Sequence, residues 1–121
     1  METLSEKQRR FTRLVSDLIA YAYAQGYELT FGEAYRTPEQ AALNAKNGKG
    51  IANSLHTQRL AIDLNLFYQG EYLTDSAAYR PLGLYWEQLE PDCFWGGLFK
   101  DRQGNPTPDG NHFSIGHEGR K

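Results

Sequence analysis

The sequence predicts an α+β fold: a small antiparallel sheet with helices packed on it and a metal site on the sheet. Three observations carry that prediction. An N-terminal stretch repeats apolar residues at helical spacing. Later stretches are apolar over strand length and are separated by turn residues. Two of the three histidines stand near aspartates at spacings that suit a metal ion.

Ser5, with Gln8 three residues on, reads as a capping box. Phe11, Leu14, Val15, Leu18, Ile19 and Ala22 then recur at helical spacing, and Gly26 ends the helix. Tyr27 to Tyr35 alternates large apolar with polar residues, as a half-buried strand does. Thr37 as N-cap and Pro38 at the first helical position open a short helix through Ala41, Ala42 and Leu43. Asn47 to Ile51 is a turn-rich loop.

From Leu60 to Phe67 the chain is apolar except for Asp63 and Asn65. Strand alternation puts Leu60, Ile62, Leu64 and Leu66 on one face and Ala61, Asp63, Asn65 and Phe67 on the other. Tyr68-Gln-Gly-Glu71 is a hairpin-like turn. Thr74-Asp-Ser-Ala77 opens a region that ends in the helix-compatible Leu82 to Leu89, whose start Pro81 and Gly83 leave undefined. Phe94-Trp-Gly-Gly97 and His112-Phe-Ser-Ile115 are short strands around the Gly/Asn/Pro-rich loop Lys100 to Gly110. There is no repeat or linker, so residues 1–121 are expected to form a single domain.

The formal charge of −2 provides no large basic field, which argues against nucleic acid or an anionic membrane as the main partner. The cluster Lys7-Gln-Arg-Arg10 is read as a solvated helix face. The single cysteine, Cys93, excludes an internal disulfide, and its neighbours Phe94 and Trp95 suggest a buried thiol. No basic, then apolar, leader is evident at the N-terminus and no apolar run is of membrane-spanning length. A soluble protein that reaches any extracytoplasmic substrate by another route is expected.

A carboxylate within an apolar strand is costly unless a cation or donors satisfy it, so Asp63 needs a partner. His56 lies seven positions earlier, and odd spacing would place the two on opposite faces of one continuous strand. His56 is therefore expected in the loop entering the strand, where a turn brings its imidazole over Asp63, with Ala61 leaving room beside an ion. Taken alone, the segment fits a surface histidine and a salt-bridged core acid equally well.

In Asp109-Gly-Asn-His112, Gly110 and Asn111 tolerate positive φ, so the chain can fold back and bring Asp109 beside His112. The same stretch alone is also an ordinary turn. Two imidazoles and a carboxylate make a zinc site with an open fourth position, the catalytic arrangement. Hydrolysis at such a site needs a non-ligand carboxylate as general base, a role Asp109 fits. A fixed guanidinium, Arg36, beside a developing oxyanion would stabilise it, though a structural salt bridge at a strand end is the other reading. Ser54 is read as a loop cap or ligand support, not a nucleophile, because no histidine is left to activate it. His117, in the polar stretch Gly116 to Lys121, is read as solvated in a frayed tail.

These residues resemble the zinc peptidases that cleave peptidoglycan stem peptides: D-alanyl-D-alanine dipeptidases and carboxypeptidases, and the phage L-alanyl-D-glutamate endopeptidases. Their pattern is Ser-x-His-x-x-Gly-x-Ala-x-Asp, a distal Asp/Glu-x-x-His followed by an aromatic, and an upstream Arg in a Tyr-Arg-Thr context. Ser54, His56, Ala61 and Asp63 match the first motif in register, Asp109, His112 and Phe113 the second, and Ala34-Tyr-Arg-Thr-Pro-Glu-Gln40 the third. Together they span residues 30 to 115. Two positions depart from the pattern: Arg59 stands where the family has glycine, as phage-type members commonly carry a basic residue there, and Ser114 replaces an acid.

The resemblance implies a hedgehog/DD-peptidase-like fold in which His56, Asp63 and His112 bind Zn²⁺, Asp109 is the base and Arg36 steadies the oxyanion. It implies a hydrolase of peptidoglycan stem peptides, expected to be monomeric, and the charge and hydropathy add the expectation of no nucleic-acid partner and no stable membrane insertion. The setting it suggests is a phage endolysin made in the host cytoplasm that acts on the periplasmic wall after holin-type release, or a virion-associated enzyme. A D-alanyl-D-alanine dipeptidase or carboxypeptidase on the same zinc site is the nearest alternative. A non-catalytic zinc-containing wall-binding or virion module would need neither Asp109 nor Arg36. A thiol amidase using Cys93 lacks an evident helix N-terminus to lower the thiol pKa. The loops expected to border the site, Asn47 to Asn53 and Lys100 to Pro108, are short and rich in Gly, Asn and Lys, which suits the open groove an endopeptidase requires.

Overall fold

The computed structural model describes residues 1–121. Helix α1 (Leu4–Ala24) starts at Thr3, whose hydroxyl accepts from the Glu6 N–H while the Glu6 carboxylate accepts from the Thr3 N–H. The capping box is therefore Thr3/Glu6 and not the predicted Ser5/Gln8. Both pairs fit the pattern, and the earlier start is held by Arg10, which pairs with Glu2 ahead of the helix and with Asp92. Gly26, at φ +88, ends the helix as expected.

Strand β1 (Tyr27–Phe31) pairs antiparallel with β2 (Ala61–Tyr68), Leu29 opposite Leu66. β1 stops at Phe31 instead of running to Tyr35 because Gly32 passes close against Asp63. A Cβ at Gly32 would lie 3.0 Å from both Asp63 Cβ and the Asp63 carbonyl oxygen. Helix α2 (Pro38–Lys46) has the predicted start, with the Thr37 hydroxyl accepting from the Gln40 N–H. β2 turns into β3 (Glu71–Leu73) through Gln69 and Gly70, both at positive φ, the pair of left-handed residues a tight hairpin demands.

A 3₁₀ turn, Ser76–Tyr79, capped by Asp75, leads into α3 (Arg80–Leu89), where Pro81 occupies the first turn and its missing N–H leaves no bond unmade. β4 is Cys93–Trp95, because Gly96–Leu98 forms a 3₁₀ turn instead of extending the strand to Gly97. β5 (His112–Ile115) lies between β2 and β4, giving the antiparallel order β1-β2-β5-β4 with β3 as a further partner of β2.

The core sits between the sheet and the two long helices. Leu14 and Leu18 of α1 and Leu82 and Trp86 of α3 pack on Ile62, Leu64 and Leu66 of β2 and on Phe113 and Ile115 of β5. Trp86 meets Phe11 and Phe113 edge-on and donates its indole N–H to the Ser114 carbonyl. The predicted alternation of β2 holds: its even-numbered residues face this core, so Asp63 projects from the opposite face.

The C-terminal stretch is not frayed. Lys7 donates to the Gly116 carbonyl and meets His117 Nδ1, and Arg120 donates to the Asn53 carbonyl. Within the basic cluster Lys7 and Arg10 are accordingly spent on the chain's own loops, while Arg9 stays on the solvated face as expected. No helix is long and apolar enough to cross a membrane.

Candidate metal centre

Asp63 stands where three backbone segments meet. Its N–H donates to the Glu33 carbonyl and its C=O accepts from the Gly32 N–H, both on the β1 side. On the other side it faces His112 of β5, and its own backbone groups do not bond across that gap. Such non-hydrogen-bonded antiparallel pairs bring Cα atoms to about 4.5 Å and side chains into contact. Sheet register alone thus puts a carboxylate and an imidazole side by side.

His56 comes from the loop entering β2, as expected, on a 3₁₀ turn spanning Leu55–Gln58. Ser54 caps that turn, its hydroxyl accepting from the His56 N–H at 3.2 Å, and the His56 carbonyl accepts from the Arg36 N–H. Arg59 closes the turn at φ +57, the left-handed conformation that explains why the resembling family places glycine there. Its guanidinium lies 4.0 Å from the centre of the Tyr35 ring, a cation–π contact that helps offset the backbone cost.

The three predicted ligands converge. His56 Nε2 is 3.4 Å and His112 Nδ1 3.6 Å from Asp63 Oδ1, and one ligand atom from each residue fits within 4.8 Å of the others. A tetrahedral ion with bonds of about 2.0–2.1 Å holds its ligand atoms about 3.3 Å apart, so the cluster needs only small adjustments to take one. Asp63 Oδ1 is buried without a hydrogen-bond partner, a state that a cation relieves. Burial pushes the Asp63 carboxyl up, but the imidazoles of His112 and His56 outweigh it and hold it at about 2, ionised and ready to ligate. His56 Nδ1 faces the Ala34 carbonyl at 3.4 Å, and an N–H donated there leaves Nε2 free for a metal. On donor set, spacing and unpaired charge, the residues fit zinc.

Asp109 lies 4.0 Å from His112 Nδ1, and its side chain stays 57% exposed, open to water and substrate. Partial burial pushes its carboxyl up and Asp63 adds to this, while His112, His56 and Arg36 oppose it. The turn holding it differs from the one expected, for neither Gly110 nor Asn111 adopts positive φ. Gly110 is needed for space instead: a Cβ would lie 2.5 Å from Ser76 Cα. The turn is held by Asp109 N–H to the Gly96 carbonyl, Gly110 N–H to Ser76 Oγ, and Trp95 Nε1–H to the Gly110 carbonyl.

Arg36 is ion-paired with Glu33, and its Nε is buried without a partner. The salt-bridge reading is therefore met, with Glu33 fixing one edge of the guanidinium. Sequence reasoning missed Glu33 in this role. Its Oε1 also lies 3.7 Å from His56 Nδ1, and the available signal was an acid three residues before the arginine. Cys93 is buried, and desolvation with Asp92 nearby pushes its thiol up to about 12, so it is no nucleophile. His117 pairs with Glu118 and Lys7 and is not among the converging ligands.

The chain has the α+β architecture of a DD-peptidase-like fold. It superposes on the L-Ala D-Glu endopeptidase ChiX of Serratia marcescens with a TM-score of 0.71, covering 93% of this chain and 85% of that one at 17% identity. A variant of the vancomycin-resistance D,D-pentapeptidase VanY from a VanB-type cassette, in complex with Zn(II), aligns with a TM-score of 0.57 over 88% of this chain and 70% of that one, at 20% identity. No protein-family model and no curated protein matches the sequence.

Proposed function

We propose that this chain is a zinc-dependent endopeptidase that cleaves the L-alanyl-D-glutamate bond of peptidoglycan stem peptides. The observation that carries the reading is the convergence of His56, Asp63 and His112 around the unpaired Asp63 oxygen, with Asp109 alongside, in a fold shared with ChiX. His56, Asp63 and His112 would hold the ion. When bound, zinc supplies a Lewis acid for the scissile carbonyl and lowers the pKa of water. Asp109 takes the proton from the attacking water and passes it to the departing amine of D-glutamate. Arg36, which Glu33 holds, is the cation assigned to steady the oxyanion.

Residues 1–121 act as one monomeric catalytic domain in this reading. Its setting is endolysin-like, with synthesis in a host cytoplasm and action on the wall after holin-type release. Mass spectrometry of digested peptidoglycan tests the bond directly. New N-terminal D-glutamate, with L-alanine left on the glycan, is the expected result. Release of D-alanine as the main product would transfer the site to the D,D-peptidase reading and leave the zinc chemistry standing.

A further inference from the structure

β2 carries Asp63, Asn65 and Phe67 on one face, and Phe67 sits opposite Tyr72 of β3. The two rings stack with centroids 5.1 Å apart and planes 28° apart, and Tyr72 remains 52% exposed. An aromatic platform therefore lies on the metal-bearing face of the sheet, four residues from Asp63, or about 13 Å at strand rise. A groove of about 180 Å³ adjoins Tyr72 and is lined also by Thr74, Ser76, Asn111 and Asp109, the candidate base. No lysine or arginine lines it, and Asp109 is its one acidic residue.

We propose that this groove is a saccharide subsite, in which the Tyr72 ring, backed by Phe67, stacks on an N-acetylated sugar of the glycan strand next to the cleaved stem. The inference rests on the endopeptidase reading, since only a bond near the sugar end brings glycan within about 13 Å of the metal ligands. The chemistry of the groove selects this occupant. One face of a pyranose presents C–H groups to the negative face of an aromatic ring, while its rim of hydroxyls needs neutral donors and acceptors. Thr74, Ser76 and Asn111 supply them. The stem beyond D-glutamate carries carboxylates, which the groove offers no cation to meet and which Asp109 repels.

The test uses Tyr72→Ala with two substrates, a disaccharide-peptide and the same peptide without sugars, and a separate titration with N-acetylglucosamine oligomers followed by NMR of the tyrosine ring resonances. Tyr72→Ala should raise KM for the disaccharide-peptide roughly fivefold, as expected when about 40 Å² of apolar contact is lost, with kcat unchanged. KM for the free peptide should not move. In wild type the oligomer should shift the Tyr72 resonances, with or without zinc. Equal KM changes on both substrates would assign the groove to the stem and overturn the proposal, as would unmoved Tyr72 resonances. Failure of wild type to cut the L-alanyl-D-glutamate bond, with the oligomer still shifting Tyr72, would overturn the bond assignment and leave the sugar site in place.

Discussion

Replacing Asp63 by Asn tests the metal centre through stability as well as turnover. Asp63 Oδ1 is the atom both imidazoles approach, at 3.4 and 3.6 Å, and it has no protein hydrogen-bond partner, so its charge is available to an ion. At free zinc a thousand times Kd, binding stabilises the folded state by about 4.1 kcal/mol. An unfolding entropy of about 2.1 cal/mol/K per residue gives about 250 cal/mol/K for 121 residues, so zinc should raise the wild-type Tm by about 16 °C. If losing the charged ligand weakens binding about a thousandfold, the same zinc sits near Kd. The stabilisation then shrinks to about 0.4 kcal/mol, less than about 2 °C. Thermal unfolding of each protein with chelator and with zinc measures this, and comparing each with itself cancels any cost of the substitution to the apoprotein. A wild-type Tm indifferent to zinc, or the same rise in Asp63→Asn, refutes the assignment.

Asp109→Asn should keep the zinc-dependent rise in Tm while losing about 10²–10⁴-fold in kcat, because an amide cannot take the proton of the attacking water. Near-normal turnover would move the base elsewhere. Arg36→Lys should cost about 10²–10³-fold in kcat with zinc retained, since an ammonium cannot face Glu33 and the oxyanion together; full activity would make Arg36 structural. Asp92 pairs with Arg10, and that contact depresses its carboxyl pKa below the unfolded value. Its contribution is thus present above about pH 4 and lost as pH falls through the folded value. Asp92→Asn should therefore destabilise by about 0.5–1 kcal/mol near neutrality and by nothing at low pH, as read from urea unfolding at several pH values. A deficit independent of pH would mean that the pair is not its cause.

Local signals proved the most legible. The α1 periodicity, the Thr37-Pro38 helix start and the alternation of β2 all depend on neighbours in sequence, and each matches the structure. The grouping of His56, Asp63 and His112 could be expected because a carboxylate inside an apolar strand demands a partner and because the motifs resemble those of the zinc peptidases. What escaped depends on distant residues. β1 ends early because Gly32 must pass Asp63, and Arg10 reaches Asp92 to fix the start of α1. The C-terminal stretch is held by Lys7 and Asn53, which no local pattern announces. Likewise the Asp109 turn relies on Ser76 and Trp95 and not on its own φ preferences.

The pairing of Asp63 with His112 has an evolutionary consequence. Because β5 alternates, His112 and Ser114 face the site side while Phe113 and Ile115 enter the core. Sliding β5 by one residue would drive an imidazole into hydrocarbon and put a phenyl ring at the metal centre, so folding and chemistry would fail together. An insertion or deletion in this strand would therefore be disfavoured twice over, once for each failure. Length can drift in the excursion between Lys100 and Pro108, whose base is tied by the Thr107 N–H to the Phe99 carbonyl. A lineage can in this way rewrite most of its surface and still inherit the same strand register.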